Sequence, residues 1–278
     1  MQILVQGHST YCYTGGRPFD PQKPTALFIH GVLHDHSVWI LQTRYLAHHG
    51  WNVLALDLPG HGRSAGEPPA SVEQAADFVA ELMQAAGLAK AALIGHSWGS
   101  LIALEAAARL KDCISHAALV GTAFPMRVSA ALLEAAQNEP LKAIAMINQF
   151  SRSTLAPPPS VLGPGTWVDG ASIALNKRIL ASNRQFNLLH RGFVACDRYD
   201  RGLAAIEELT CPLLFVLGQV DQMTPLKAAQ GLIAHARARG QSVEVASVPV
   251  GHHEMAEAPE ATLAALRGFL ASRHQRSV

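Results

Sequence analysis

Short, uninterrupted apolar runs alternate with longer amphipathic stretches along most of this chain, and that alternation restricts its fold more than any other feature. TALFIH (25–30), NVLALD (52–57), KAALIG (90–95) and SHAALVG (115–121) carry apolar residues at nearly every position. A strand buried on one face would alternate; these read as strands covered on both faces, as in a parallel sheet flanked by helices. The intervening segments have helical spacing. SVWILQTRYLAHHG reads as a helix closed by Gly50, and Ser71-Val-Glu-Gln74 has the form of a capping box. It opens a helix with Val72, Ala75, Ala76, Val79, Leu82 and Met83 on one face, ending near Gly87. An Ala-rich helix follows KAALIG and runs to about Leu110. The expected class is α/β, with a mostly parallel sheet covered on both faces.

The alternation stops after Gly121. Residues 124–205 hold two helix-like stretches, around 128–150 and 171–191, separated by Pro157-Pro158-Pro159 and Gly163-Pro164-Gly165. It resumes with PLLFVLG (212–218), a helix expected to start at Thr224 (N-cap) and Pro225 (N1), SVEVASV (242–248) and a last helix from about Pro259. The expected organisation is one core made of residues 1–123 and 206–278, with a helical insertion over 124–205.

Composition narrows the functional classes. Among 278 residues, 22 Lys+Arg against 21 Asp+Glu leave a net charge of +1, without the basic excess of a nucleic-acid or membrane-surface binder. No apolar run approaches the ~20 residues of a spanning helix, and the N-terminus lacks the pattern of a secretory signal. Cys12, Cys113, Cys196 and Cys211 are far apart and form no CxxC pair, as expected of reduced thiols in a cytoplasmic protein. No metal site or cofactor is expected, and no P-loop or GxGxxG follows any strand. His34-Asp35-His36 supplies too few ligands for a metal and reads as a solvated loop near a pocket mouth. The expected partner is a small-molecule substrate, with neither nucleic acid nor membrane span; self-association as a homo-oligomer stays open.

The strongest chemical signal is Gly95-His96-Ser97-Trp98-Gly99 between an apolar strand and a helix. A turn this sharp needs glycine two residues either side, and it lifts the serine hydroxyl above the sheet beside the N–H groups of a helix start. His30-Gly31-Val32 with Trp39 follows the first of the apolar strands and Asp57-Leu-Pro-Gly-His-Gly-Arg-Ser64 the next. Gly218-Gln-Val-Asp221 ends a late strand, and Val250-Gly-His252-His253-Glu-Met-Ala-Glu257 precedes the last helix. Each falls beyond the carboxyl end of an expected strand, so a parallel sheet gathers them on one edge.

These motifs, in this order, resemble those of the α/β-hydrolase superfamily, particularly its esterase-like serine hydrolases with a helical cap. The resemblance covers about residues 20–122 and 208–272. It implies a cofactor-independent hydrolase in which Ser97 is the nucleophile, His252 the base and Asp221 the acid that orients it. His253 is the neighbouring alternative to His252; the family spacing, directly after glycine and five residues before Glu257, selects His252. The backbone amides of Val32 and Trp98 are implied as the oxyanion donors. His96 and His61 read as packing or bracing residues. His30, Gly31, Phe124, Met126, Ile144, Met146, Ile147, Phe150 and Trp167 are candidates for the substrate pocket.

The resulting reading is hydrolysis of a small or medium, largely apolar carboxylic ester through an acyl-enzyme at Ser97. The same triad on another carbonyl, as a C–C bond hydrolase, lactonase, thioesterase or perhydrolase, is the alternative. A ligand-binding receptor on a hydrolase scaffold is a further one.

Overall fold

In the computed structural model, residues 1–152 and 168–272 are described. Eight strands form one sheet: β1 (Gln2–Val5), β2 (His8–Tyr13), β3 (Thr25–Ile29), β4 (Asn52–Leu56), β5 (Ala91–His96), β6 (Ile114–Val120), β7 (Leu213–Gly218) and β8 (Val243–Val248), in the order β1-β2-β4-β3-β5-β6-β7-β8. All pairings from β4 to β8 are parallel. The antiparallel edge made by β1 and β2 is not expected from the sequence reading. Its turn is Gln6-Gly7, with both residues at positive φ. A glutamine in that conformation conceals a hairpin that Asn-Gly would announce.

The strands that read as apolar runs, β3, β4 and β5, are buried along their whole length. Helices cover the two faces. On one side α2 (Val72–Ala85) and α3 (Trp98–Leu110) pack with α8 (Gly202–Glu208) and α9 (Gln230–Ala238) around Leu27, Leu93, Leu119 and Phe215. On the other, α1 (Ile40–His48) and the last helix (Pro259–Ala271) cover Phe28, Trp39, Ile94 and Val216. Between them the two layers remove most of the apolar surface of the sheet from water, the dominant stabilising term.

Local signals act through particular atoms. Ser71 Oγ accepts the Gln74 N–H at 3.2 Å, starting α2, but Gln74 Oε1 reaches back to the Ala70 N–H at 2.8 Å instead of to Ser71. The expected helix at 37–50 begins as a 3₁₀ turn over His36–Trp39 capped by Asp35. Pro225, expected inside a helix, precedes one: a 3₁₀ turn over Leu226–Ala229 leads into α9. Thr224 is thereby released from capping and its hydroxyl bonds elsewhere.

Between β6 and β7 lie α4 (Ala130–Asn138), α5 (Pro140–Ser151), α6 (Val168–Ser182), α7 (Leu188–Arg198) and α8. Each of the two helical stretches expected from the sequence is broken. Pro140 starts α5 because its ring removes the N–H needed to continue α4, and Asn187 caps α7 by accepting the His190 N–H at 3.1 Å. Leu33, Ala136, Ile144, Ile179 and Leu189 form a separate small core under α4–α7. Residues 202–205, at the end of the expected insertion, belong to α8, whose Ala205 and Ile206 lie in the main core.

Candidate active site

Ser97 joins β5 to α3 with φ +54° and ψ −120°, a strained backbone for a residue with a side chain. Two glycines make that turn feasible. A methyl group on Gly95 would overlap the Gly99 carbonyl, and one on Gly99 would lie 2.5 Å from the Ile29 carbonyl oxygen. The Ser97 N–H donates to the Val120 carbonyl on β6 at 2.9 Å, tying the turn to the neighbouring strand. Trp98 opens α3, so its amide belongs to the first turn, whose N–H groups have no partner within the helix.

Beyond the end of β7, Asp221 is held by four donors. Its Oδ1 accepts the N–H groups of Met223 (2.8 Å) and Thr224 (2.9 Å), and its Oδ2 accepts the Thr224 hydroxyl (2.6 Å) and His252 Nδ1–H (2.9 Å). Although the site is buried, the adjacent His252 and these hydrogen bonds hold the Asp221 carboxyl well below the usual carboxylate range. The His252 N–H donates to the Ser151 carbonyl at the end of α5 at 2.7 Å, and the His252 carbonyl accepts from His96 Nε2–H at 2.7 Å. The histidine is therefore fixed from the helical layer above and from the β5 turn below.

Ser97 and His252 line one cavity of about 230 Å³ together with Val32, Met126, Val128, Leu132, Phe150, Phe193, Cys196, Met223 and Thr224, with Arg127, Ser129 and Gln222 as its remaining polar members. Of the residues expected in a pocket, Phe150 and Met126 line this cavity, and so does Val32, expected as an oxyanion donor. His30 does not: its Nδ1–H donates to the Gly31 carbonyl and its Nε2 accepts the Leu58 N–H, and burial lowers its proton affinity. It fixes the loop after β3 to the loop after β4. Gly31 lies behind the serine, where an added methyl would stand 3.2 Å from Ser97 Cβ. Phe124 packs on Tyr199 and Gly202, and Ile144, Met146 and Ile147 in the small core of α4–α7. Trp167 lies outside the described residues. Phe193, Cys196 and Met223 are not legible as lining residues in the sequence, because helix-borne and loop-borne apolar residues look alike whether they fill a core or line a cavity.

The loop His34-Asp35-His36 is not solvated as expected. Asp35 accepts the Ser37 N–H and pairs with Arg178 Nη2 at 2.7 Å, and His36 donates from N and Nδ1 to Asp57 Oδ1 at 2.8 and 2.7 Å. His34 is buried between His96 and His253, and burial pushes its proton affinity down to about 3. Among the described residues no group of His, Cys, Asp and Glu could hold a metal ion. His253 is not among the residues lining this cavity, and burial lowers its proton affinity well below that of a free imidazole. His61 braces its loop through Nδ1–H to the Pro59 carbonyl. Behind His252, Glu254 is buried, with Oε1 accepting the Gly218 N–H at 3.1 Å and desolvation holding its carboxyl well above the usual range.

Residues 24–259 match the family model described as the alpha/beta hydrolase fold. Over 233 residues, 77% of this chain and 82% of the relative, it is 32% identical to the "Putative carbamate hydrolase RutD" of Agrobacterium fabrum. A match at 38% identity to the dihydrolipoyllysine-residue acetyltransferase component of the acetoin cleaving system of Cupriavidus necator covers 34% of this chain and 26% of that protein. Another, at 32% identity to the (E)-2-((N-methylformamido)methylene)succinate hydrolase of Acinetobacter baylyi, covers 34% and 36%. The chain thus aligns with well under two thirds of the length of these last two relatives.

Among solved structures, the enol-lactonase of Burkholderia xenovorans LB400 superposes with a TM-score of 0.79 at 19% identity, covering 98% of this chain and all of that one. An esterase from Exiguobacterium antarcticum gives 0.79 at 19% identity over 98% and 99%. No helix among the described residues is long and apolar enough to cross a membrane. The chain belongs to the alpha/beta hydrolase family.

Proposed function

We propose that this hydrolase cleaves small or medium, largely apolar carboxylic esters, with Ser97 as nucleophile, His252 as general base and Asp221 as its orienting acid. The observation that carries the reading is the bond from His252 Nδ1–H to Asp221 Oδ2 beside a cavity that His252 shares with the strained Ser97. That bond places the proton of the neutral imidazole on Nδ1 and leaves Nε2 as the acceptor. Attack of Ser97 Oγ on the ester carbonyl transfers the hydroxyl proton to His252, and Asp221 stabilises the imidazolium. The oxyanion is received by the amides of Trp98 and Val32. Collapse expels the alcohol, protonated by His252, and leaves the acyl-enzyme. Water, deprotonated by His252, then attacks the acyl carbon and frees the acid and Ser97.

The apolar walls supplied by Met126, Val128, Leu132, Phe150 and Phe193, and the small volume, favour a short acyl or alcohol chain. Helices α4–α7 act as the cap, resting on the loop that carries His252. Four cysteines far apart in the sequence, with no CxxC pair, accord with a reducing, cytoplasmic setting. The carbamate hydrolase, the enol-lactonase and the esterase among the similar proteins bear names that share attack on a carbonyl carbon, so the substrate panel includes carbamates and lactones with esters.

The test is labelling with a fluorophosphonate probe, with mass mapping of the adduct and parallel assays on p-nitrophenyl esters of increasing acyl length. Labelling at Ser97 alone, lost in Ser97→Ala, with turnover of short esters, is the expected result. A folded wild type that neither labels nor turns over any member of the panel would sink the reading.

A further inference from the structure

Resting on that reading, we infer that Thr224 is a positioning residue of the hydrolase, whose hydroxyl shares the Asp221 oxygen used by His252 and so tunes the base. Three atoms form a closed triangle: Thr224 Oγ1 to Asp221 Oδ2 at 2.6 Å, His252 Nδ1 to the same oxygen at 2.9 Å, and His252 Nδ1 to Thr224 Oγ1 at 3.0 Å. Asp221, ionised, has no proton to give, so the Thr224 hydroxyl must donate to it and turn a lone pair toward His252. The His252 Nδ1–H then faces two acceptors at once. This fixes the plane of the ring more tightly than one carboxylate oxygen would, and excludes the tautomer that carries the proton on Nε2.

The shared oxygen has an electrostatic consequence. A hydrogen bond to a charged acceptor is among the stronger ones, and the Thr224 hydroxyl makes the shortest of the four on Asp221. Part of the Oδ2 charge is thus committed to Thr224 rather than to the imidazolium that forms as Ser97 attacks. Removing the hydroxyl returns that charge to His252, favours its protonated form and reduces the fraction of enzyme able to act as base at low pH.

Thr224 suits a clean test because its two contributions are separable. Its backbone N–H, with that of Met223, holds Oδ1 and survives any side-chain change. Valine has the same shape and lacks only the hydroxyl. The other ionisable groups around the site stay constant across such variants: His96, whose ring is 4.7 Å from that of His252; His253 at 5.8 Å; His34 stacked on His96; Glu254, with Oε2 3.9 Å from His96 Nε2; Arg152 near His34 and His253; and Arg127 and Cys196 in the cavity wall.

The experiment measures the pH dependence of kcat and kcat/KM on a short p-nitrophenyl ester for the wild type, Thr224→Val and Thr224→Ser, with melting curves for each. In Thr224→Val the acid limb of kcat/KM is expected to move up by about half a pH unit or more, and kcat at neutral pH to fall by about tenfold with KM nearly unchanged. Thr224→Ser, which keeps the donor, restores both. An acid limb in Thr224→Val that coincides with the wild type, or a serine variant as impaired as the valine one, overturns the assignment while leaving the ester-hydrolase reading intact. A wild type inactive on the whole panel removes that reading, and this inference with it.

Discussion

The exchange of Asp221 for asparagine has an outcome that can be worked out from the hydrogen bonds around it. Two backbone N–H groups, of Met223 and Thr224, point at Oδ1 from 2.8 and 2.9 Å. An asparagine could not turn its NH₂ toward them without setting donors against donors. Its carbonyl oxygen must therefore take the Oδ1 position and its NH₂ the Oδ2 position, facing His252 Nδ1 and Thr224 Oγ1. His252 Nδ1 then has to accept, which sends the imidazole proton to Nε2, the nitrogen that should receive the proton of Ser97. The variant folds with its geometry kept but holds the wrong tautomer, and it lacks the charge that stabilises the imidazolium. For a triad of this type the loss is about 10⁴-fold in kcat, roughly 5.5 kcal/mol of transition-state stabilisation. The assay is steady-state hydrolysis of a short p-nitrophenyl ester by Asp221→Asn, with the melting temperature as a check on folding. A folded variant keeping a tenth or more of wild-type kcat would refute the argument, because it would mean that Asp221 does not set the tautomer of the working base.

Three further outcomes follow from the same geometry. Gly95→Ala places a methyl against the Gly99 carbonyl and the Ser100 amide, so it is expected to yield no cooperatively melting protein; a wild-type thermal transition would contradict the close approach of β5 to α3. Phe193→Ala removes a wall shared by the cavity and the small core of the cap; the preferred acyl chain should lengthen by about two or three methylenes while the protein loses up to ~3–5 kcal/mol, both readable from a chain-length series and denaturant unfolding. Glu254 has its carboxyl raised by burial, so its neutral form stabilises the fold fully below the ordinary glutamate range, and this contribution is lost as pH rises through the raised value. Glu254→Gln, which keeps an acceptor for the Gly218 N–H, should flatten the fall in melting temperature as pH rises above the ordinary glutamate range. An unchanged pH dependence would show that Glu254 is not the group responsible.

Much of this molecule is legible in its sequence because its central strands are buried on both faces. A run such as TALFIH or KAALIG has no polar side to hide, and parallel order brings the ends of β3, β5, β6, β7 and β8 to one edge. The pentapeptide around Ser97 is legible for a steric reason: only glycine at 95 and 99 lets α3 cross so near to β3 and β5. Signals that depend on a single side chain are read less well. Gln6 hides a hairpin turn, Thr224 resembles a helix cap until its hydroxyl is found on Asp221, and the polar loop 34–36 resembles a solvated one although Asp57 and Arg178 hold it against the core.

By itself, the sequence determined the α/β class, the order of the strands along the chain and the residue types at the candidate site, since these rest on periodicity, steric need and intrinsic chemistry. The tertiary structure alone decided which oxygen of Asp221 faces His252, that Thr224 joins them, and that a carbonyl of α5 and the ring of His96 fix the histidine backbone. It also decided that Phe193, Cys196 and Met223 line the cavity while His30 and Met146 do not. Whether an apolar side chain fills a core or faces a cavity depends on what packs across from it, and that partner is brought there only by the folded chain.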